Sequence, residues 1–291
     1  MQRYFTVFSR ELNVDSTGQQ RINLNNTNLE QLKTQLDAAV GADISNFIML
    51  VRAASGPPTS IGQTINPASV PGITFNKGVI SISDPKTLQS KQEFKNTLTM
   101  WSLINTRYIS TGPTGGIIPS PFQTQNKEQL RTNLTTFLDK CSITGDLEIP
   151  ARININSCPG DLLTALGINE TDVEKILQYR PTPDLDPNLI QYYKTPAWLI
   201  TEADILPSVV SMFSNYITTY SQVFRFQVVG YYEYRGPQVR LEVVVDANNG
   251  RPRILHWRDL TDLGKGYHFS QGRGSNTSFR GPSEMLNRRW N

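Results

Sequence analysis

The chain reads as an α+β protein, and three observations predict that class. "RINLN" at 21–25 and "RININ" at 152–156 each open a segment whose apolar spacing turns helical, and residues 222–257 hold three β-branched and aromatic runs parted by turn residues. With 291 residues, 38% of them hydrophobic, the chain can bury a sizeable core, either as two packed units or as one unit with a large insertion.

Residues 1–25 are an N-terminal segment ending in the first strand, and residues 26–60 are a helical hairpin. Asn26 or Thr27 caps its first helix, which carries Leu29, Leu32 and Leu36 on one face; Gly41 breaks it, and the second helix buries Ile44, Phe47, Ile48 and Val51. Residues 61–125 are short strands and loops: "IGQTINPASVPGITFNKGVISISDP" alternates strands with turns, "TLTMWSLINTRYIS" is a short helix or buried strand, and "TGPTGGIIPSP" is a loop.

Residues 126–213 form a helical domain. A helix from Lys127 to Asp139 aligns Leu130, Leu134, Phe137 and Leu138. In the second hairpin Asn156 or Ser157 caps, Pro159 fits the first turn, and Leu162, Leu163 and Leu166 face inward up to Gly167. Asn169 then caps a helix burying Val173, Ile176 and Leu177, which Pro181 stops. This copy is three residues shorter between its opening and closing arginines, Arg152 and Arg180, than the first is between Arg21 and Arg52, a difference suited to a surface turn. "TPAWLITEADILPSVVSMFSNYI" is helical in parts, with a break at Pro207.

Residues 214–258 are a three-stranded antiparallel meander turned at Arg235-Gly236-Pro237 and Asn248-Asn249-Gly250. Alternation puts Phe224, Phe226 and Val228 on the face expected to pack, and Arg225 and Gln227 on the wet one. Residues 259–291 are rich in Gly, Ser and Arg, a composition that predicts disorder.

The formal charge of +3 is uneven: Lys265, Arg273, Arg280, Arg288 and Arg289 against Glu284 give residues 264–291 a net +4, and residues 1–263 a net −1. A nucleic-acid protein usually spreads basic residues over a folded face, which this distribution does not predict. The hairpins agree. Residues 152–180 set Arg152, Lys175 and Arg180 against Asp161, Glu170, Asp172 and Glu174, and Glu170 and Asp172 stand where a phosphate would approach. DNA binding by helix-hairpin-helix units is therefore the alternative, and packing modules are the main reading.

No phosphate-binding glycine loop, His-Glu-x-x-His or paired-cysteine spacing occurs, so no enzyme is expected. His256 reads as a structural side chain in a strand, and His268 lies in the tail. Cys141 and Cys158 suit buried thiols, a single bridge being the other option. Asp184 and Asp186, two apart in "TPDLDPN", could give oxygens to Ca²⁺, although turn carboxylates of this kind are more often solvated. No run approaches a membrane span.

"RINLN" before an early helical unit, "RININSCPGDLLTALGINETDVEKILQYRP" in the middle and "SQVFRFQVVGYY" near the end, in that order, resemble the general secretion pathway protein K family, the large minor pseudopilins of type II secretion. The resemblance spans most of residues 1–260, and "ININ" alone also occurs in DNA-uptake proteins. It implies a pilin-like antiparallel sheet with an inserted helical domain, at the pseudopilus tip on the periplasmic face of the inner membrane. Implied partners are sibling minor pseudopilins, with secreted proteins as possible substrates. Family members start with a prepilin leader and an apolar anchor helix; neither is present here, so the expectation is a chain that begins after that helix, its only membrane contact, with a soluble relative of the family as the other option. The family also holds calcium in acidic loops; "VRAASGPP" after the first hairpin has no carboxylate, which leaves Asp184 and Asp186 as the calcium candidates.

Overall fold

In a computed structural model, which describes residues 10–95, 99–150, 152–232, 237–248 and 250–264, the two RIN-x-N stretches each form a two-residue strand before a helical hairpin. After β1 (Glu11–Leu12) and β2 (Ile22–Asn23), α1 (Leu29–Val40) starts later than the expected caps. Asn28 is the cap, accepting from Gln31 N, because Asn26 is held in the preceding turn with its Oδ1 accepting from Asn28 N. Leu29, Leu32 and Leu36 are buried as their spacing predicts. Gly41, at φ 85°, reverses the chain in a conformation that favours glycine, and α2 (Ala42–Ala53) buries Ile44, Phe47, Ile48 and Val51.

The middle segment holds β3 (Gln63–Ile65), β4 (Ile73–Asn76), β5 (Val79–Ile82), β6 (Arg107–Ser110) and β7 (Gly116–Pro119). β7 lies within the stretch read as a loop: Ile117 and Ile118 pair with Ile109 and Tyr108, apolar partners that turn composition alone had hidden. "TLTMWSLINTRYIS" divides its roles, with a 3₁₀ turn at Trp101–Leu103 and then strand β6.

α3 (Lys127–Lys140) buries Leu130, Leu134 and Phe137, runs directly into β8 (Cys141–Ser142), and is followed by β9 (Glu148–Ile149) and β10 (Ile153–Asn154). α4 (Gly160–Ala165) has no side-chain cap: Pro159 itself occupies the cap position, because the Asn156 side chain is engaged elsewhere. α5 (Glu170–Tyr179) is capped by Asn169 and buries Val173 and Ile176, while Leu177 is 44% exposed. The three-residue difference between the copies is not confined to a surface turn. α4 has 6 residues where α1 has 12, partly offset by a longer connection through residues 166–169.

α6 (Pro187–Ile190), α7 (Trp198–Thr201) and α8 (Pro207–Phe213) complete the helices, with Pro207 parting the last two and opening α8, where its missing N–H costs nothing. β11 (Ile217–Thr218) precedes the meander of β12 (Val223–Tyr231), β13 (Gln238–Asp246) and β14 (Arg253–Asp259). Leu260 is buried and Thr261–Leu263 form a 3₁₀ turn, so the segment read as a disordered tail from 259 is folded at its start; residues 265–291, including His268, lie outside the described residues.

The fold is α+β with six small sheets among the described residues. β1 pairs with β9, β4 with β5 and β6 with β7, all antiparallel; β2 pairs with β8, β3 with β6 and β10 with β11, all parallel. Neither RIN strand joins the meander. One hydrophobic core runs from Leu24 to Ile217 and unites both hairpins with the middle segment, whereas the buried Val244 of β13 lies outside it.

Candidate docking surface

Each RIN-x-N unit is closed by the same device. Ile22 and Asn23 pair in parallel with Cys141 and Ser142, just as Ile153 and Asn154 pair with Ile217 and Thr218. One residue on, Leu24 N donates to Ser142 O and Ile155 N to Thr218 O, both at 2.8 Å. The final asparagine of each motif then acts as a clasp. Asn25 Nδ2 donates to Phe94 O at 3.0 Å and Ile143 O at 2.8 Å, and its Oδ1 accepts from Phe94 N. Asn156 Nδ2 donates to Tyr193 O at 3.2 Å and Thr219 O at 3.1 Å, and its Oδ1 accepts from Trp198 Nε1. Asn23 and Asn154, two residues earlier, accept from the backbone N–H of these clasps. The repeat is thus a backbone-binding motif that ties the segment leaving α3, or leaving the 3₁₀ turn Ser214–Tyr216, to its own strand.

The opening arginines serve the same junction. Arg152 forms a two-pronged ion pair with the buried Glu11, which also accepts from Thr218 Oγ1, and Arg21 approaches Glu11 at 4.0 Å. The crevice there, lined by Arg10, Glu11, Arg152, Thr218, Tyr220 and Asn248, has room for about one water. Its charged groups are already paired, Arg10 with Glu148 and Asp246, so it joins the body to the meander and offers no substrate site.

The sequence-predicted site residues do not converge. Asp186 caps α6, accepting from Asn188 N and Nδ2, while Asp184 is exposed in the preceding turn. Among the described residues no three or more His, Cys, Asp or Glu are grouped to hold a metal. Cys141 and Cys158 are free and buried, and burial pushes both thiols up against the pull of Arg21 on one and Arg180 on the other. In the second hairpin Asn169 bonds Asp172 through both its Oδ1 and its Nδ2, and Ile168 is buried, so the turn presents acidic side chains rather than free N–H groups. His256 is an exposed residue of β14.

In the meander Arg225 and Gln227 are exposed as expected, but the apolar face expected to pack is exposed as well. Residues paired across a sheet point to the same side, so Phe224, Phe226 and Val228 share a face with Val245, Val243 and Leu241, and then with Ile254 and Trp257. That face is bare: Phe224 is 51% exposed, Phe226 45% and Trp257 63%. The opposite, polar face holds the buried Val244, Asp246 and Arg240. Arg10 bonds Asp246 there, Asn248 donates to Arg10 O, and Gly264 O accepts from Arg240. Burial pushes the Asp246 carboxyl up, but Asn248 and Arg10 more than offset this and hold it below the usual range; Arg225 and Gln227 do the same for Glu242. Alternation fixes that a strand has two faces; which of them meets the body is decided by these polar partners.

No protein-family profile, curated protein or solved structure matches the chain.

Proposed function

We propose that the chain is a non-enzymatic assembly protein: the periplasmic part of a minor pseudopilin of type II secretion, binding sibling minor pseudopilins at the pseudopilus tip. The observation that carries the reading is the meander's apolar face, turned outward and continuous over three strands. Soluble monomers rarely leave such a surface uncovered without a partner for it. The order of the RIN units and the meander supports the family, and the clasped hairpins share one hydrophobic core to which the meander is joined through Arg10 and Asp246. Duplex DNA is a poorer partner, since Glu170 and Asp172 crowd the first turn of α5.

The test is co-expression with the minor pseudopilins encoded in the same genome, followed by affinity capture and sedimentation. A stoichiometric complex with at least one of them is expected. Failure to associate with any at tens of micromolar, with the chain shown to be folded, overturns the proposal.

A further inference from the structure

The bare face of the meander raises the question of what covers it. Its most open side chains are Phe224, Phe226, Val228, Val239, Ile254 and Trp257, between 45% and 66% exposed. They come from all three strands and include no charge, and the intermediate Leu241, Val243 and Val245 fill the space between them. Arg225, Arg240, Glu242 and Arg258 of the same strands fall on the other side by the pairing register, while Asp259, opposite Leu241, stands on the apolar side at the end of β14.

We infer that this face takes a second copy of the chain, packed sheet on sheet about a two-fold axis; the inference rests on reading the face as a docking surface. Area is the first argument. Scaled by their exposure, the six open side chains leave roughly 600 Å² bare per copy, so two copies would hide roughly 1,200 Å², the lower limit for a specific interface. Geometry is the second. Three antiparallel strands with β-branched and aromatic side chains alternating on one side are half of an aligned sandwich, whose inner faces interdigitate about 10 Å apart. Charge is the third: among the described residues Asp259, at the end of β14, is the one ionised group on this side, so two copies can bring their apolar centres together with the carboxylates at the rim, whereas the face has no cluster of charge with which to select an oppositely charged partner. A sibling protein would then exchange with the second copy for the same face.

The experiment is sedimentation equilibrium on the full chain from about 1 to 200 μM, where an interface of this size is expected to give a micromolar dimer. Phe226→Glu and Trp257→Glu are run beside it, each verified as folded by circular dichroism. Each buries a carboxylate in the seam and is expected to weaken the dimer at least about 100-fold. A wild-type chain that stays monomeric throughout overturns the inference without needing any variant, and so does a folded Phe226→Glu that dimerises as tightly as wild type. A monomer that still captures a sibling pseudopilin sinks this inference and spares the assembly role; a dimer that captures none does the reverse.

Discussion

Replacing Asn156 with alanine tests the clasp directly. The substitution removes the acceptor for Trp198 Nε1, at 3.0 Å, and the donor to the carbonyls of Tyr193 and Thr219. Trp198 is fully buried, so its N–H has no route to water. An orphaned buried donor costs about 1–3 kcal/mol, and each of the two carbonyls loses a bond of net worth about 1 kcal/mol. Allowing for partial relaxation, the expected loss is about 2–4 kcal/mol, which at the size of this protein lowers Tm by roughly 3–7 °C. Urea and thermal denaturation followed by tryptophan fluorescence would measure it. Asn156→Asp is the informative companion: it keeps the acceptor for Trp198 but sets a carboxylate against two carbonyl oxygens, so it should fail at neutral pH and recover partly in acid. A change within about 0.5 kcal/mol for Asn156→Ala, the range of ordinary surface substitutions, would refute the clasp.

Further outcomes follow from other parts of the molecule. Burial raises the Asp15 carboxyl, but bonds from Lys140, Thr17 and Gln19 outweigh it and hold the group at about 2. A depressed folded value stabilises above the unfolded one and loses that stabilisation as pH falls; Asp15→Asn should therefore cost about 2 kcal/mol at pH 7, and the gap to wild type should close as pH drops from about 4 to 2 in a denaturation series. Gly78 sits at φ 90°, and a Cβ there would lie 2.4 Å from Ile117 O; Gly78→Ala should lower stability by about 1–3 kcal/mol by the same assay. Cys141 and Cys158 should resist a thiol reagent at pH 8 in the folded protein, and both should label at once in urea; fast labelling of either in the native state would contradict its burial.

Much of the helical half is legible in the sequence, because a helix announces its face every three or four residues. Leu29, Leu32, Leu36, Ile44, Phe47 and Leu134 are all buried where the periodicity puts them. Caps were less legible at Asn26 and Asn156, since a cap is decided by which side chain is not already committed, and both asparagines are held by other bonds. The clasp left a trace that could have been found: an asparagine recurs two residues apart in each copy, a spacing that lets one side chain accept the other's backbone N–H. β7 was hidden because glycines and prolines flank two short apolar residues, and its pairing with β6 is a property of the partner. The meander's three strands were readable, but not its outward side: that is set by Arg10, far away in sequence, reaching Asp246.

The clasps also order the events of synthesis. Asn25 grips Ile143 across 118 residues, while Asn156 grips Thr219 across only 63. A chain emerging from the ribosome therefore carries its first hairpin unfastened until α3 and β8 have appeared, with the apolar surfaces of α1 and α2 dependent on contacts still to be made. The second hairpin waits half as long, and closing its shorter loop costs less entropy and favours faster closure. Newly made molecules should thus be most exposed to proteases and chaperones during the first half of translation, and the slowest step of refolding should be the fastening of Asn25 rather than that of its later twin.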